Sequence, residues 1–400
     1  MGRMAAGMSR LGTETAFDVL ARAKALEEEG RDIINLGIGQ PDFTTPDNIV
    51  EAAVKALRDG HHGYTPAGGI GPLREAVAAD IEKHRGVAVD PGHVVIVPGG
   101  KVTMFFAIIM FGEPGVEILY PNPGFPIYES VINFTGAKAV PMPLHEETGF
   151  SFNAGEVLER ITPATRLIVL NSPANPTGGV VPRAEIERLV EGLAAHPGVT
   201  ILSDEIYSRM LYDGRTHVSL LEYETIRDRL IVLDGWSKTY AMTGWRLGYG
   251  VWPPSLAAHA TRLAVNDHSC VAAAIQLAGV EALTGPQEAV ERMVATFDER
   301  RQVILDELDS IPGCSCTRPA GAFYAFPNIE GTGLAAKALQ DALLEEVGVA
   351  AVAGTSFGRF GEGYLRFSYA NSPDNIRAAM ARIRDYLERR AAAPAAVESA

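Results

Sequence analysis

The amino-acid sequence predicts an α/β protein in which a large domain, with a mostly parallel sheet sandwiched between helices, is joined to a smaller α+β domain. The chain has 400 residues, more than one hydrophobic core usually supports, so two domains are expected. In its middle part, short apolar runs alternate with longer helical patterns such as PRAEIERLVEGLAAH. Because the short runs are apolar throughout, both faces of their sheet should be covered by helices.

Five apolar runs predict the strands of this sheet. They are HVVIVP (93–98), GVEILYP (115–121), TRLIVLNSP (165–173), GVTILSDE (198–205) and DRLIVLDGW (228–236). Each run stops at polar or glycine-rich residues. Ligands of open α/β sheets bind beyond the carboxyl ends of the strands, so the five endings are expected to converge on one site. Taken singly, each ending could equally be an ordinary loop.

The pattern changes in the last part of the chain, where a long charged helical segment is followed by short strand-like runs and further helices. We predict a large domain over residues 46–290. Residues 1–45, with a helix around 14–30, and residues 291–390 are expected to form the smaller α+β domain. Residues 391–400, AAAPAAVESA, are expected to be a disordered tail.

The composition argues against several classes of protein. Hydrophobic residues make up 47% and charged residues 21% of the chain, which is typical of a globular protein. A formal net charge of −14 argues against nucleic acid or an anionic membrane as a partner. The three cysteines match neither a disulfide framework nor a zinc motif, and no segment resembles a signal peptide or a membrane span. We therefore expect a cytoplasmic protein.

Two kinds of motif are set aside because their context is wrong. GTSFG (354–358) matches the G-x-S-x-G elbow of serine hydrolases, with Ser356 as nucleophile, but RFGEGY follows where a helix is required. The glycine-rich stretches at 37–43 and 68–73 do not continue as G-x-G-x-x-G, and the chain has no P-loop. These features argue against a nicotinamide dehydrogenase or a nucleotide hydrolase.

Polar residues at the predicted strand ends suggest binding groups. Gly100 and Lys101 lie between a strand and an apolar helical run, where free N–H groups favour a phosphate, although a plain glycine turn has the same pattern. Asp204 could stabilise a protonated ring nitrogen or cap a helix. Asn175, in NSPANPTGG, and Tyr207 offer an amide and a phenol, although turn chemistry alone also explains the asparagine.

The stretch LDGWSKTYAMTGWRLGYG (233–250) places Lys238 and Arg246 among aromatic, apolar and glycine residues. A lysine ammonium is costly to desolvate, so Lys238 either reaches the surface or does chemistry that needs a neutral amine. Pyridoxal phosphate requires a phosphate cradle, an acid for its ring nitrogen, an amide and a phenol for its ring hydroxyl, and a lysine amine. The sequence offers all of these groups and therefore predicts a pyridoxal phosphate enzyme.

The same motifs resemble the class I and II aminotransferases, the aspartate aminotransferase-like group of fold-type I pyridoxal phosphate enzymes. NSPANPTG, SDEIY and SKTYAMTGWRLGY occur in the family's order and approximate spacing. The resemblance extends from INLGIGQPDF to LRFSYA, nearly the whole chain. It implies a transaminase that works by two half-reactions on an amino acid and a 2-oxo acid.

The resemblance also implies roles for individual residues. Lys238 would bind the cofactor as a Schiff base and move a proton between the substrate α-carbon and the cofactor C4′. Asp204 would pair with the ring nitrogen, and Phe125 would stack on the ring face. Asn175, which also belongs to the substrate site, and Tyr207 would hydrogen-bond the ring oxygen.

The phosphate would be held, on this resemblance, by backbone groups of Gly100 and Lys101 and by the Arg246 side chain. Many relatives carry a serine three residues before the lysine, but Gly235 stands at that position here. Ser237 or a water would then supply the missing hydroxyl, or Arg246 would carry more of the phosphate binding.

The resemblance implies a homodimer with shared active sites, because Tyr64 would reach the phosphate of the neighbouring subunit. Arg366 would bind the substrate α-carboxylate by a bidentate pair, with the Gly39 backbone nearby. Relatives that read an acidic side chain with an arginine carry it near VNDHSCV (265–271), where none stands here. Lys101 could read that carboxylate instead, or it could be solvated.

We expect an aspartate-type L-amino acid as donor and 2-oxoglutarate as acceptor. Alanine or aromatic donors remain alternatives, as do a C–S lyase and a cyclising synthase with the same constellation of residues. A pyridoxal-dependent transcription regulator is disfavoured, because no DNA-binding helix pair precedes the domain.

Overall fold

The structure, a computed structural model, describes residues 4–392. From residue 393 onward, the predicted tail at 391–400 lies outside the described residues. The strands are β1 (Ile34–Asn35), β2 (Val94–Val97), β3 (Glu117–Asn122), β4 (Lys138–Pro143), β5 (Thr165–Asn171), β6 (Thr200–Asp204), β7 (Leu230–Gly235), β8 (Gly248–Val251), β9 (Tyr324–Ala325), β10 (Val349–Ala350), β11 (Val352–Ala353) and β12 (Leu365–Ser368).

The large sheet contains β2 to β8 in the order β2-β8-β7-β6-β5-β3-β4. β8 runs antiparallel to both of its neighbours, whereas the other neighbouring pairs are parallel. The five runs predicted as strands are β2, β3, β5, β6 and β7. β4 and β8 were missed because KAVPMP contains two prolines and GYGV contains two glycines, and both residue types weaken a strand signal.

Both faces of this sheet are buried, as the apolar runs predict. Leu230 and Val232 of β7 enter one apolar core, and Ile231 and Leu233 enter another.

No described helix is both long enough and apolar enough to span a membrane. The α-helices are α1 (Thr15–Glu28), α2 (Asp47–Arg58), α3 (Gly71–Arg85), α4 (Lys101–Phe111), α5 (Ile127–Thr135), α6 (Ala154–Glu159), α7 (Arg183–Gly192), α8 (Trp236–Thr239), α9 (Pro254–Asp267), α10 (Ala273–Thr284), α11 (Glu288–Leu308), α12 (Ala336–Ala342) and α13 (Pro373–Ala392).

A third apolar core lies beside the large sheet and combines the two ends of the chain. Ile34 and Leu36 pack there with Phe297, Phe323 and Phe367. β1 pairs with β10, while β11, β12 and β9 form a small antiparallel sheet covered by α11 and α13. The N-terminal strand β1 therefore packs with elements from the C-terminal part of the chain, and the predicted domain boundaries stay a prediction.

A buried ionic cluster holds the carboxyl ends of β6 and β7 together. Arg85, at the end of α3, lies with its Nε 3.0 Å from Glu205 Oε2 and also pairs with Asp234. His217 Nε2 lies 2.9 Å from the same Glu205 oxygen, and Ser208 Oγ donates to Asp234 at 3.0 Å. Burial alone would raise the pKa of Glu205, but His217 and Arg85 lower it to about 2. We call these five residues the Arg85 cluster.

Replacing Arg85 with methionine should destabilise the protein strongly, because two buried carboxylates would lose their counter-ion. Breaking a buried ion pair from one side typically costs about 3–5 kcal/mol, so the midpoint of thermal unfolding should fall by roughly 5–15 °C. Arg22→Met is the matched control, since Arg22 pairs with Glu345 at the surface and its loss should change the midpoint little. Equal midpoints for the two variants in calorimetry would contradict this role of Arg85.

Candidate active site

The carboxyl ends of the parallel strands open into a cavity of about 490 Å³ that is also lined by residues from the two ends of the chain, such as Glu14 and Arg366. All five predicted strand endings contribute to its walls. Tyr64 lies outside this cavity and is 93% exposed. The other residues predicted for the site all line it: Gly39, Gly100, Lys101, Phe125, Asn175, Asp204, Tyr207, Ser237, Lys238, Arg246 and Arg366.

Lys238 lies in the short helix α8, directly after β7, and its side chain is partly buried. Its Nζ donates a hydrogen bond to the Gly39 carbonyl at 2.6 Å and lies 5.8 Å from the centre of the Phe323 ring. Burial, followed by the positive charge of Arg366, lowers the pKa of Lys238 to about 8. Near neutral pH this amine is uncharged far more often than an ordinary lysine, as a nucleophile or base must be.

Asp204 ends β6 with its carboxylate buried at the cavity wall. Tyr128 Oη donates to Oδ2 at 2.6 Å, and the Ile206 N–H donates to Oδ1 at 3.2 Å. Burial raises the pKa of Asp204 to about 6, although both hydrogen bonds favour the ionised form. A cation beside the carboxylate would oppose this shift, so the position suits a protonated ring nitrogen.

A glycine-lined space for an anion lies between Arg246 and the N-terminus of α4. Gly99 has a φ of +93°, and a Cβ there would lie 2.1 Å from Arg246 Nη2. A Cβ on Gly248 would lie 2.2 Å from the Gly100 nitrogen. The first N–H groups of a helix have no partner within it, and the helix dipole adds to the positive charge of Arg246. We call this arrangement the anion cradle, and it suits a phosphate.

Arg246 itself has a φ of +54°, which is unfavourable for any residue other than glycine. Its Nη1 donates to the Thr243 carbonyl at 2.8 Å, which orients the guanidinium. Backbone strain of this kind is typical of functional positions, where the surrounding structure holds a side chain in place.

Gly235 leaves no room for the serine that many relatives carry. A Cβ at this position would lie 2.8 Å from Gly248 Cα and 3.0 Å from the Leu247 carbonyl oxygen. Both contacts involve backbone, which could not move without displacing the anion cradle. Ser237 lines the cavity.

Arg366 of β12 is buried in the cavity without a carboxylate partner among the described residues. Its Nη1 donates to Asn175 Oδ1 at 3.0 Å and its Nη2 donates to the Gly37 carbonyl, whereas Nε has no partner in the described structure. The guanidinium lies 4.7 and 4.8 Å from the ring centres of Tyr324 and Phe357. Burial lowers the pKa of Arg366, so an anion that binds it would relieve an electrostatic cost.

Tyr207 and Tyr324 form a pair of phenols at the cavity wall, with their Oη atoms 2.8 Å apart. Burial raises the pKa of Tyr207 well above its ordinary value, so the hydroxyl stays protonated and can donate a hydrogen bond. A Cβ on Gly39 would lie 2.5 Å from Tyr324 Oη. Glycine at position 39 therefore makes room for the phenol pair and leaves its own backbone facing the cavity.

Sequence reasoning missed Glu14, Tyr128 and Tyr324, which also line the cavity. The available signal for Tyr128 was its position three residues beyond Phe125, a spacing at which side chains share one side of a helical turn. Glu14, just before α1, and Tyr324, in β9, come from distant parts of the chain, and no local sequence pattern marks them.

A lysine, a buried acid and an anion cradle at one edge of a parallel sheet are the groups that a pyridoxal phosphate enzyme requires. The chain belongs to the family described as Aminotransferase class I and II, which matches residues 31–383.

Two relatives and one solved structure illustrate this membership. The chain is 39% identical to an aspartate aminotransferase of Pyrococcus horikoshii, over 93% of this chain and 94% of that protein. It is 37% identical to an aromatic-amino-acid aminotransferase of Thermococcus litoralis, over 89% of this chain and 92% of that protein. The crystal structure of the aspartate aminotransferase from Rhizobium meliloti matches with a TM-score of 0.92 at 32% identity, covering 97% of this chain and 100% of that one.

The chain is therefore an aminotransferase, and the fold class expected from the sequence is confirmed. Enzymes of this family depend on pyridoxal 5′-phosphate. The residues present fit this cofactor: Asp204 is buried without a cation, Lys238 has a lowered pKa, and the glycines at 99 and 100 keep backbone exposed to an anion.

Gly235→Ser should destabilise the protein, because the new Cβ would press against backbone in β8. Overpacking of this kind typically costs about 1–3 kcal/mol. Gly198→Ser is the control, since a Cβ there would meet nothing within 4 Å. The midpoints of thermal unfolding should therefore separate the two variants, and identical midpoints would show that position 235 has room for a hydroxyl.

In the cofactor-free protein, Lys238 should be half-maximally acylated by an amine-reactive reagent at about pH 8. Only the neutral amine reacts, so labelling should rise from pH 7 to 9, whereas an ordinary lysine titrates near pH 10.4. Peptide mass spectrometry after short exposures would measure this profile. A Lys238 profile that coincides with that of an ordinary lysine would contradict the lowered pKa.

Proposed function

We propose that this enzyme binds pyridoxal 5′-phosphate in the cavity and transfers an amino group from an aspartate-type L-amino acid to 2-oxoglutarate. The observation that supports this best is the buried guanidinium of Arg366, whose Nε has no partner and which shares the cavity with Lys238. A substrate α-carboxylate would satisfy it in bidentate geometry. Lys101 supplies a further cation at the cavity wall for a second carboxylate.

The phosphate of the cofactor would lie in the anion cradle. Arg246 and the backbone N–H groups of Gly100 and Lys101 would hold it, with Ser237 supplying a hydroxyl. Phe125 would cover one face of the ring. When bound, the cofactor supplies an electron sink for the bonds at the substrate α-carbon.

The polar edge of the cofactor ring would meet three side chains. Asp204, oriented by Tyr128, would pair with the ring nitrogen and keep it protonated. Asn175 and Tyr207 would hydrogen-bond the ring oxygen. Because Asn175 Oδ1 accepts from Arg366, its Nδ2 is the end that donates, and the same residue couples the ring to the substrate site.

Lys238 Nζ is the group that moves the proton. Burial lowers the pKa of its amine to about 8 in the free site, so with cofactor and substrate bound the neutral amine would be able to take the proton from the substrate α-carbon. The rings of Tyr207 and Phe323 lie about 6 Å from Nζ and limit the access of water to it.

We also propose that the enzyme is a cytoplasmic homodimer with shared active sites. Tyr64, which is 93% exposed, would reach the phosphate bound by a second copy of the chain. Thr65 N–H contacts Cys270 Sγ and the Thr65 hydroxyl donates to the Val271 carbonyl, so this loop has a defined position. Val265, five residues before Cys270, is 55% exposed.

A transaminase for alanine or aromatic donors is the second candidate. Lys101 Nζ already lies 2.9 Å from Glu14 Oε2, so it has a counter-ion before any substrate binds. Phe17 and Phe125 add apolar surface to the cavity wall. The relative named as an aromatic-amino-acid aminotransferase supports the same alternative.

Product analysis tests the proposal directly. The holoenzyme mixed with aspartate and 2-oxoglutarate should form oxaloacetate and glutamate in equal amounts, and Lys238→Ala should form neither. The same assay with glutamate, alanine and phenylalanine ranks the donors. Pyruvate and ammonia released from a sulfur-substituted amino acid without any 2-oxo acid would instead identify a C–S lyase.

Lys101→Met should lower kcat/KM for aspartate by about 10–100-fold, the value of one charged hydrogen bond. The kcat/KM for alanine should stay within about threefold, because alanine has no second carboxylate. Lys138→Met is the control, since Lys138 pairs with Glu117 at the surface. Lys138 begins the edge strand β4, so it lies at the end of the sheet opposite the cavity. An equal loss for both donors in steady-state assays would show that Lys101 does not read the substrate side chain.

A further inference from the structure

The segment before α1 lies across the large domain and places an acidic side chain in the cavity. Arg10 Nε donates to the Asn133 carbonyl at 2.7 Å, and its Nη2 donates to the Phe134 carbonyl at 3.0 Å. The Gly12 N–H donates to Ser130 Oγ at 2.9 Å. These contacts with α5 fix the chain two residues before Glu14, which lines the cavity wall.

Glu14 and Lys101 form an ion pair at this wall. Glu14 Oε2 lies 2.9 Å from Lys101 Nζ, and the same ammonium lies 5.1 Å above the centre of the Phe125 ring. The Glu14 side chain is 21% exposed and that of Lys101 is 43% exposed. The lysine charge is thus held between a carboxylate and an aromatic face, beside the space where a substrate side chain would lie.

We propose that Glu14 is a specificity-determining residue, acting as an exchangeable counter-ion for Lys101. A donor with a distal carboxylate displaces Glu14 from Lys101, whereas a neutral donor leaves the ion pair intact and meets no unpaired charge. This inference rests on the proposed function, in which Lys101 reads the acidic donor.

The exchange is energetically accessible because both partners keep contact with water. Ion pairs between exposed side chains are weak, so displacing Glu14 should cost a dicarboxylate only about two- to fivefold in affinity. The carboxylate of Glu14 also acts on the rest of the site, since its charge opposes the burial that lowers the pKa values of Lys238 and Arg366. The Glu14 carboxylate thus reduces the net positive charge of the cavity, and an acidic donor that displaces it from Lys101 takes over its role as counter-ion.

Glu14→Gln in the holoenzyme tests this inference, because the amide keeps the size of the side chain and removes its charge. Succinate, a dicarboxylate that carries no amino group, should bind about two- to fivefold more tightly in calorimetry. The ratio of kcat/KM for aspartate to that for phenylalanine should rise by a similar factor. An unchanged or lower ratio, or unchanged succinate affinity, would overturn the inference.

Two further variants separate this inference from the proposed function. Glu27→Gln removes an equal charge from an exposed position on α1 and should change neither readout. In the double variant Glu14→Gln/Lys101→Met, the gain for aspartate should vanish, since the gain acts through Lys101. If Lys101→Met alone spares aspartate, the proposed donor is wrong. If it lowers aspartate activity while Glu14→Gln has no effect, only the role of Glu14 is wrong.

Discussion

The active site depends on the register of three parallel strands. Asn171 and Asp204, the last residues of β5 and β6, are paired, and Asp204 is paired with Leu233, so that β7 ends two residues further on at Gly235. Asn171 Nδ2 also donates to the Asp204 carbonyl at 3.1 Å, which ties two of these ends together. Lys238 follows β7 within one helical turn. A register shift of one residue would turn the Asp204 carboxylate to the other face of the sheet, so the acid and the lysine could no longer face one ligand.

Two groups of buried charges surround these strand ends, and they differ in how they are compensated. In the Arg85 cluster, one guanidinium pairs with both Glu205 and Asp234 within the protein. In the neighbouring cavity, Arg366 and Asp204 are buried without an ion partner among the described residues. Buried unpaired charge is unfavourable, so the second group gains most from a ligand that carries both an anionic and a cationic group. The Arg85 cluster therefore stabilises the strand ends, whereas Arg366 and Asp204 favour the binding of a ligand in the cavity.

The fold and most of the site could be predicted because the informative residues are local in sequence. Strands that are buried on both faces consist of continuous apolar residues, which makes them recognisable in the sequence. Each polar residue predicted for the site either follows such a strand or belongs to a short sequence motif. β8 was missed because close packing requires glycine at Gly248, where the sequence lacks any strand signal. Tyr324 was missed because it meets Tyr207 across 117 residues. The pairing of Glu14 with Lys101 is likewise a tertiary contact between residues 87 positions apart, and the local sequence around neither residue predicts it.

The close packing of Gly235, Gly248 and Gly100 explains why a glycine stands three residues before the lysine in this structure. A Cβ on Gly235 would lie 2.8 Å from Gly248 Cα, and a Cβ on Gly248 would lie 2.2 Å from the Gly100 nitrogen. Backbone from β7, β8 and the start of α4 is therefore stacked in direct contact. This stacking fixes the anion cradle relative to β7, the strand directly before the helix that carries Lys238, and a side chain at any of the three positions would push the cradle and the strand apart. A serine side chain at position 235 is thus excluded by packing, and the groups that surround the anion cradle are backbone N–H groups and Arg246.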